Sequence, residues 1–242
     1  MALTPDRRYM NRSQADVALV DEGLRSYMLR VYNYMSLGVA FTGAVAMIVA
    51  MSPALVQGVS SLIWVFFIGI LGLGFFAPRI MMSKSMTLAQ LCFWVYAAMW
   101  GALMGPMFYV YGNLDPMLIV RAFLITGGTF AGVSLFGYVT KRNLSGFATF
   151  FMMASIGLVI AIVVNALFVQ SIGMSLLTSV AVVLLFSGIT AWETQMIKSM
   201  YFESDGHDVT SRKAIFGAFV LYGSFVTLFV HILNILGIMR GE

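Results

Sequence analysis

Residues 174–197 read Met-Ser-Leu-Leu-Thr-Ser-Val-Ala-Val-Val-Leu-Leu-Phe-Ser-Gly-Ile-Thr-Ala-Trp-Glu-Thr-Gln-Met-Ile and carry one charge, Glu193. A run of about 20 apolar residues crosses a hydrocarbon core of about 30 Å as a helix. Backbone groups in lipid must bond to one another, and a single run of this length does so only as a helix. The stretch therefore reads as a membrane span. Composition extends the reading to the whole chain: of 242 residues, 60% are hydrophobic and 10% charged, against roughly 25% charged in a soluble domain.

Six further segments of the same kind flank it, so that seven spans are expected at 31–51, 61–78, 87–111, 117–140, 146–169, 174–197 and 214–239. The expected fold is an all-α membrane protein, a seven-helix bundle. Residues 1–30 are largely polar and form a separate amino-terminal region ahead of a transmembrane domain at 31–242. Within that region Val17, Val20, Leu24, Met28 and Val31 recur at spacings of three and four, one apolar stripe of an amphipathic helix. Such a helix either lies on the membrane surface before turning in or packs beneath the bundle. No apolar core of a cleavable signal peptide precedes the first span.

Lysine and arginine report orientation. Twelve of the 14 basic residues fall on one side of a seven-span arrangement, among them Arg25, Arg30, Arg79, Lys141, Arg142, Lys198 and Lys213. The expected topology has a cytoplasmic amino terminus and an external carboxyl terminus, unless the last segment re-enters. Because the basic residues sit in short loops without interleaved aromatics, the net charge of +4 does not point to nucleic acid. Gly101 with Gly105, and Gly128 with Gly132, form two Gly-x-x-x-Gly pairs expected to allow close helix packing.

Glu193 is the only carboxylate inside any of the seven segments. An ionisable group in a bilayer is costly and is a functional hypothesis by default, and its ionisation depends on its burial and partners. It either titrates as a proton-linked gate or pairs with Arg79, Lys198 or Lys213. In the last segment Ser224, Thr227, His231 and Asn234 recur at spacings of three, four and three, on one helical face. They line a hydrated pathway or bond to neighbouring helices. Arg121 either snorkels outward or pairs with Asp115. The acidic loop around His207 lacks the order of an EF-hand, and the lone Cys92 has no disulfide partner.

Nothing in the chain argues for an enzyme or a cofactor. Residues 214–239 contain no lysine for a retinal Schiff base, and Leu185 stands where a Gly-x-Ser-Gly motif needs its first glycine. Phosphate-cradling loops and HExxH metal motifs are missing as well.

Four stretches carry a resemblance. They are residues 28–46, opening Met-Leu-Arg-Val-Tyr-Asn-Tyr-Met-Ser-Leu-Gly; 122–165, with Phe-Gly-Tyr-Val-Thr-Lys-Arg-Asn-Leu-Ser-Gly; 190–201, with Ala-Trp-Glu-Thr-Gln-Met-Ile-Lys; and 213–237. The chain resembles the bacterial branch of the Bax inhibitor family, the transmembrane Bax inhibitor motif proteins. The resemblance implies an inner-membrane protein whose last helix is central, enclosed by the other six. It also implies one of two activities: a proton-sensitive leak for calcium or another cation, or restraint of a membrane-anchored ATP-dependent protease by binding. In leak members two aspartates of the sixth and seventh helices share a proton and, with an arginine, gate the pore. Glu193 takes the first position, whereas Ser224, in Leu221-Tyr222-Gly223-Ser224-Phe225, replaces the second, and Arg79 is the arginine nearest the third. A serine cannot share a proton as a carboxylate does, so the resemblance here implies a single titrating site.

Overall fold

The computed structural model describes residues 12–82 and 85–241, with side chains from Glu22 onward. Val17, Val20 and the arginines at positions 7 and 8, like Lys84, lie outside the described side chains. Among the described residues eight α-helices follow one another: α1 (Arg12–Ala50), α2 (Pro53–Ser61), α3 (Ile63–Met81), α4 (Met86–Leu114), α5 (Pro116–Val139), α6 (Ala148–Val164), α7 (Ile172–Ser199) and α8 (His207–Arg240). All but α2 belong to seven spans long and apolar enough to cross a membrane, and no strand occurs among the described residues. Each expected span is present. The nine-residue α2 was hidden in an expected loop because it is too short to cross; Pro53 opens it at a first-turn position, where a missing N–H costs nothing.

α1 departs from a surface helix that turns in at Arg30. It runs unbroken for 39 residues, about 58 Å at 1.5 Å per residue. The reason is packing across the expected bend: Tyr27, Met28, Val31 and Met35 are all buried on one continuous face. Tyr27 stacks on Tyr201 at 5.6 Å between ring centroids and its hydroxyl donates to Lys213 O at 3.4 Å. These contacts tie α1 to the α7–α8 turn.

α8 is the centre of the bundle. Of its most apolar stretch 67% is buried, against 39% or less in every other span. A helix apolar all round belongs inside other helices, and α8 packs on α1, α3, α4, α5 and α7. α6 is the exception to enclosure by six: it meets the bundle mainly through α7, and none of its residues is buried. α8 is also unbroken for 34 residues, long and apolar enough to cross a membrane. Its first turns hold Lys213, beside Asp205, and its last residue, Arg240, pairs with Asp115 at the α4–α5 turn. That pairing leaves Arg121 exposed on the outside of α5 rather than bound to Asp115.

Among the described residues only one of the two Gly-x-x-x-Gly pairs packs against another helix. A Cβ on Gly101 would sit 2.7 Å from Val45 Cβ and 2.8 Å from Thr42 O, and one on Gly105 2.5 Å from Val49 Cβ, so α4 lies directly against α1. Cβ atoms on Gly128 and Gly132 would meet nothing within 4 Å. α5 instead approaches α7 at Gly137, where a Cβ would run into the Ala191 backbone.

Candidate functional site

α7 and α8 run antiparallel and share two polar clusters, one near each end. At the end where the basic residues gather, Ser224 Oγ donates to Glu193 Oε2 at 2.6 Å. Ser224 is buried, while Glu193 keeps partial accessibility and lines a cavity of about 460 Å³ between α6 and α7. The rest of that cavity is mostly apolar, with Phe151, Phe186 and Trp192 among its walls and Thr149 and Ser155 its hydroxyls. Glu193 thus has one hydroxyl on the bundle side and a largely apolar space on the other.

No described cation reaches it. Arg79 is exposed and forms no ion pair with Glu193, which corrects the charge partner expected from the sequence. The physical reason is its place, outside the bundle at the end of α3, where its head stays in water. The other two possible partners are engaged elsewhere. Lys198 Nζ donates to Tyr138 O at 2.9 Å, and Lys213 Nζ to Met200 O at 2.9 Å and to Asp205.

At the far end, Asn234 Nδ2 donates to Ser175 Oγ at 3.0 Å and to Ser179 Oγ at 2.9 Å, while His231 Nδ1 lies 3.1 Å from Ser179 Oγ. These residues border a cavity of about 430 Å³. Its other wall is the end of α6, which closes in a π-turn over Asn165–Val169. Asn165 organises that turn: its Nδ2 donates to Ser171 O at 3.2 Å and its Oδ1 accepts from Ser171 N at 3.1 Å. Gln170, at φ 51°, takes the left-handed conformation that lets the chain turn into α7.

Between the clusters the hydroxyls of the seam bond within their own helices. Thr227, expected to line a pathway with His231 and Asn234, donates instead to Gly223 O of its own helix at 2.8 Å. Ser187 and Thr190 do the same toward Val183 O and Phe186 O, at 2.7 Å each. A hydroxyl that donates to its own helix has no proton left to donate to a neighbour, and Val182 and Ile189 are buried alongside. Of the four-residue stripe, then, Ser224 belongs to one cluster, His231 and Asn234 to the other, and Thr227 to neither.

Several participants were not singled out from the sequence. Ser175 and Ser179 stand at i and i+4 on α7, a spacing that matches the polar face of α8 and could have marked them. Tyr32, Ser134 and Thr194 form a chain through α1, α5 and α7, with oxygens 2.7 and 2.9 Å apart. It ends when Thr194 donates to Thr190 O at 2.8 Å, so it braces the helices without reaching Glu193. Thr42 joins α1 to the core in the same manner, donating to Ala97 O at 2.9 Å and lying 2.6 Å from the Tyr222 hydroxyl. Among the described residues no three His, Cys, Asp or Glu side chains cluster as metal ligands.

Comparison with known proteins identifies a family. A family model described as "Inhibitor of apoptosis-promoting Bax1" matches residues 24–241. An uncharacterized protein of Rickettsia prowazekii is 38% identical over 226 residues, 91% of this chain and 92% of that one. The inner membrane protein YbhL of Escherichia coli is 34% identical over 227 residues, 90% of this chain and 94% of its own. An uncharacterized protein of Caulobacter vibrioides is 34% identical over 95% of each chain.

Proposed function

The chain belongs to the Bax inhibitor family of multi-pass membrane proteins, and on that footing we propose that it is a non-enzymatic leak pathway for calcium or another cation along the α7–α8 seam. Glu193 is its titratable element, and the His231–Asn234 cavity is its outer vestibule. The amino terminus is cytoplasmic in this reading, which puts the Glu193 end inside.

The observation that carries the reading is the Glu193–Ser224 contact at 2.6 Å, a lone carboxylate in the seam with no described counter-ion. An ionised carboxylate in a low-dielectric site attracts a cation, whereas a protonated one does not. Calcium prefers six to eight oxygens, and the seam offers far fewer, which suits a pathway that must release its ion as readily as it admits it. The middle of the seam, with Thr227, Ser187 and Thr190 bonded to their own helices, corresponds to a resting state that helix separation must open.

Calcium flux into proteoliposomes, measured across pH, tests this. Flux should rise with pH along a single-proton curve in the wild-type protein, and Glu193→Gln should flatten that curve and lower the flux about tenfold or more at its upper limit, the loss of roughly 1.4 kcal/mol of ion stabilisation. Equal, pH-independent flux in both proteins overturns the proposal. Flux absent from the wild type at every pH would leave regulation of a membrane-anchored protease as the reading to pursue, by co-purification.

A further inference from the structure

We propose that the groove between α1 and α5 at the basic end of the bundle binds one anionic phospholipid from the leaflet it faces. This site is separate from the α7–α8 seam and does not rest on the leak reading.

The groove encloses about 560 Å³, and its walls are aliphatic and aromatic: Met28, Leu29 and Met35 on α1, with Phe130, Ala131 and Leu135 on α5. Arg25 and Tyr138 stand at one end of it. From Arg25 to Met35 is ten positions, about 15 Å along a helix, or half of a hydrocarbon core of about 30 Å. That is the depth of a single leaflet. The two hydroxyls in its floor make no demand on a ligand, because Tyr32 and Ser134 lie 2.7 Å from one another and Ser134 is 2.9 Å from Thr194. What the groove offers along its length is therefore an apolar trough suited to an acyl chain.

Its mouth is cationic. Arg25 is exposed and forms no ion pair with a described residue. Lys198 Nζ lies 4.7 Å from the centroid of the Tyr138 ring, and Lys141 and Arg142 follow directly on the end of α5. Basic pockets between transmembrane helices at this level recognise anionic headgroups. An arginine presents a fork of donors that matches phosphate oxygens. The trough requires a chain and the mouth requires a net negative head, so neither free phosphate nor a zwitterionic lipid satisfies both.

The protein purified in detergent and supplied with phosphatidylglycerol or phosphatidylcholine can be weighed by native mass spectrometry. The wild type should retain phosphatidylglycerol preferentially, and inorganic phosphate should not displace it. Arg25→Gln should lower phosphatidylglycerol retention about fivefold, the effect of one basic side chain at a charged surface, with phosphatidylcholine unchanged. Arg30→Gln, exposed on α1 but outside the groove, should match the wild type. Ala131→Trp and, separately, Leu29→Trp, both at exposed positions, should fill the trough and abolish retention of either lipid while leaving the thermal midpoint in detergent in place. Equal retention of both lipids, equal behaviour of the Arg25 and Arg30 variants, or undiminished binding in both tryptophan variants would overturn the site.

Discussion

The two polar clusters between α7 and α8 differ in kind. At the basic end a carboxylate receives one hydroxyl and borders a mostly apolar cavity. At the far end uncharged groups bond to one another, with Asn234 bridging two serines and His231 sharing one of them. Ser224 and Asn234 stand ten positions apart, about 15 Å along the helix. The first cluster holds a carboxylate with a single described donor, whereas the second contains no carboxylate and joins its side chains to one another. Helices in lipid are held by such networks at a modest gain per bond, so the far end reads as the anchor of the α7–α8 contact and the basic end as its sensitive point.

The largest change to that contrast comes from placing a second carboxylate at the basic end. Ser224→Asp sets it against Glu193 at the present 2.6 Å contact. Two carboxylates so close share a proton and titrate in two coupled steps. The pH profile of flux should widen from one step to two. At alkaline pH, with both groups ionised and no described cation nearby, the variant should lose about 3 kcal/mol of stability. A profile that keeps a single-proton slope would show that the introduced carboxylate and Glu193 do not interact.

Next in size is the removal of the one donor described for Glu193. A hydrogen bond to an ionised group contributes about 2 kcal/mol, and one to a neutral group about 1. Ser224→Ala should therefore destabilise the protein by about 2 kcal/mol when Glu193 is ionised and by about 1 when it is protonated. The sign is fixed by which form the hydroxyl favours: its loss is felt more as pH rises. Thermal unfolding in detergent at several pH values measures it, and a penalty that stayed constant would place the ionisation elsewhere.

How much of this was legible beforehand differs between the backbone and the seam. The seven spans were readable because a bilayer imposes a length and forbids unpaired backbone, so 214–239 and 174–197 announce themselves by composition. Glu193 was readable for the same reason, as a charge where none is expected. The lack of a bend at Arg30 was not, since it depends on Tyr27 and Met28 finding Tyr201 and the α8 backbone, far along the chain. Periodicity also left the Thr227 hydroxyl unplaced. A helical wheel gives the face of a side chain but not whether a threonine hydroxyl folds back onto its own carbonyl. Arg79 was expected as a partner because it stands at the same end of its span as Glu193 does of its own, and only packing places it outside. Ser175 and Ser179 were missed because small hydroxyls in a span are common, and their meaning comes from the helix opposite.

At the far end the effects should be smaller and indifferent to pH. Asn234→Ala removes two hydrogen bonds, each worth about 0.6 kcal/mol in a membrane protein, for a loss of about 1 kcal/mol that unfolding at any pH should reproduce. His231→Phe removes one contact, that with Ser179, and should cost about 0.6 kcal/mol. A double-mutant cycle with Ser179→Ala separates this pair from its surroundings. A coupling near 0.6 kcal/mol that does not vary between pH values on either side of histidine's ordinary range identifies His231 as a neutral packing partner. A coupling that changes with pH would mean that the imidazole takes up a proton in place, and the contrast drawn between a titrating end and a neutral one would have to give way to a seam that responds to protons at both.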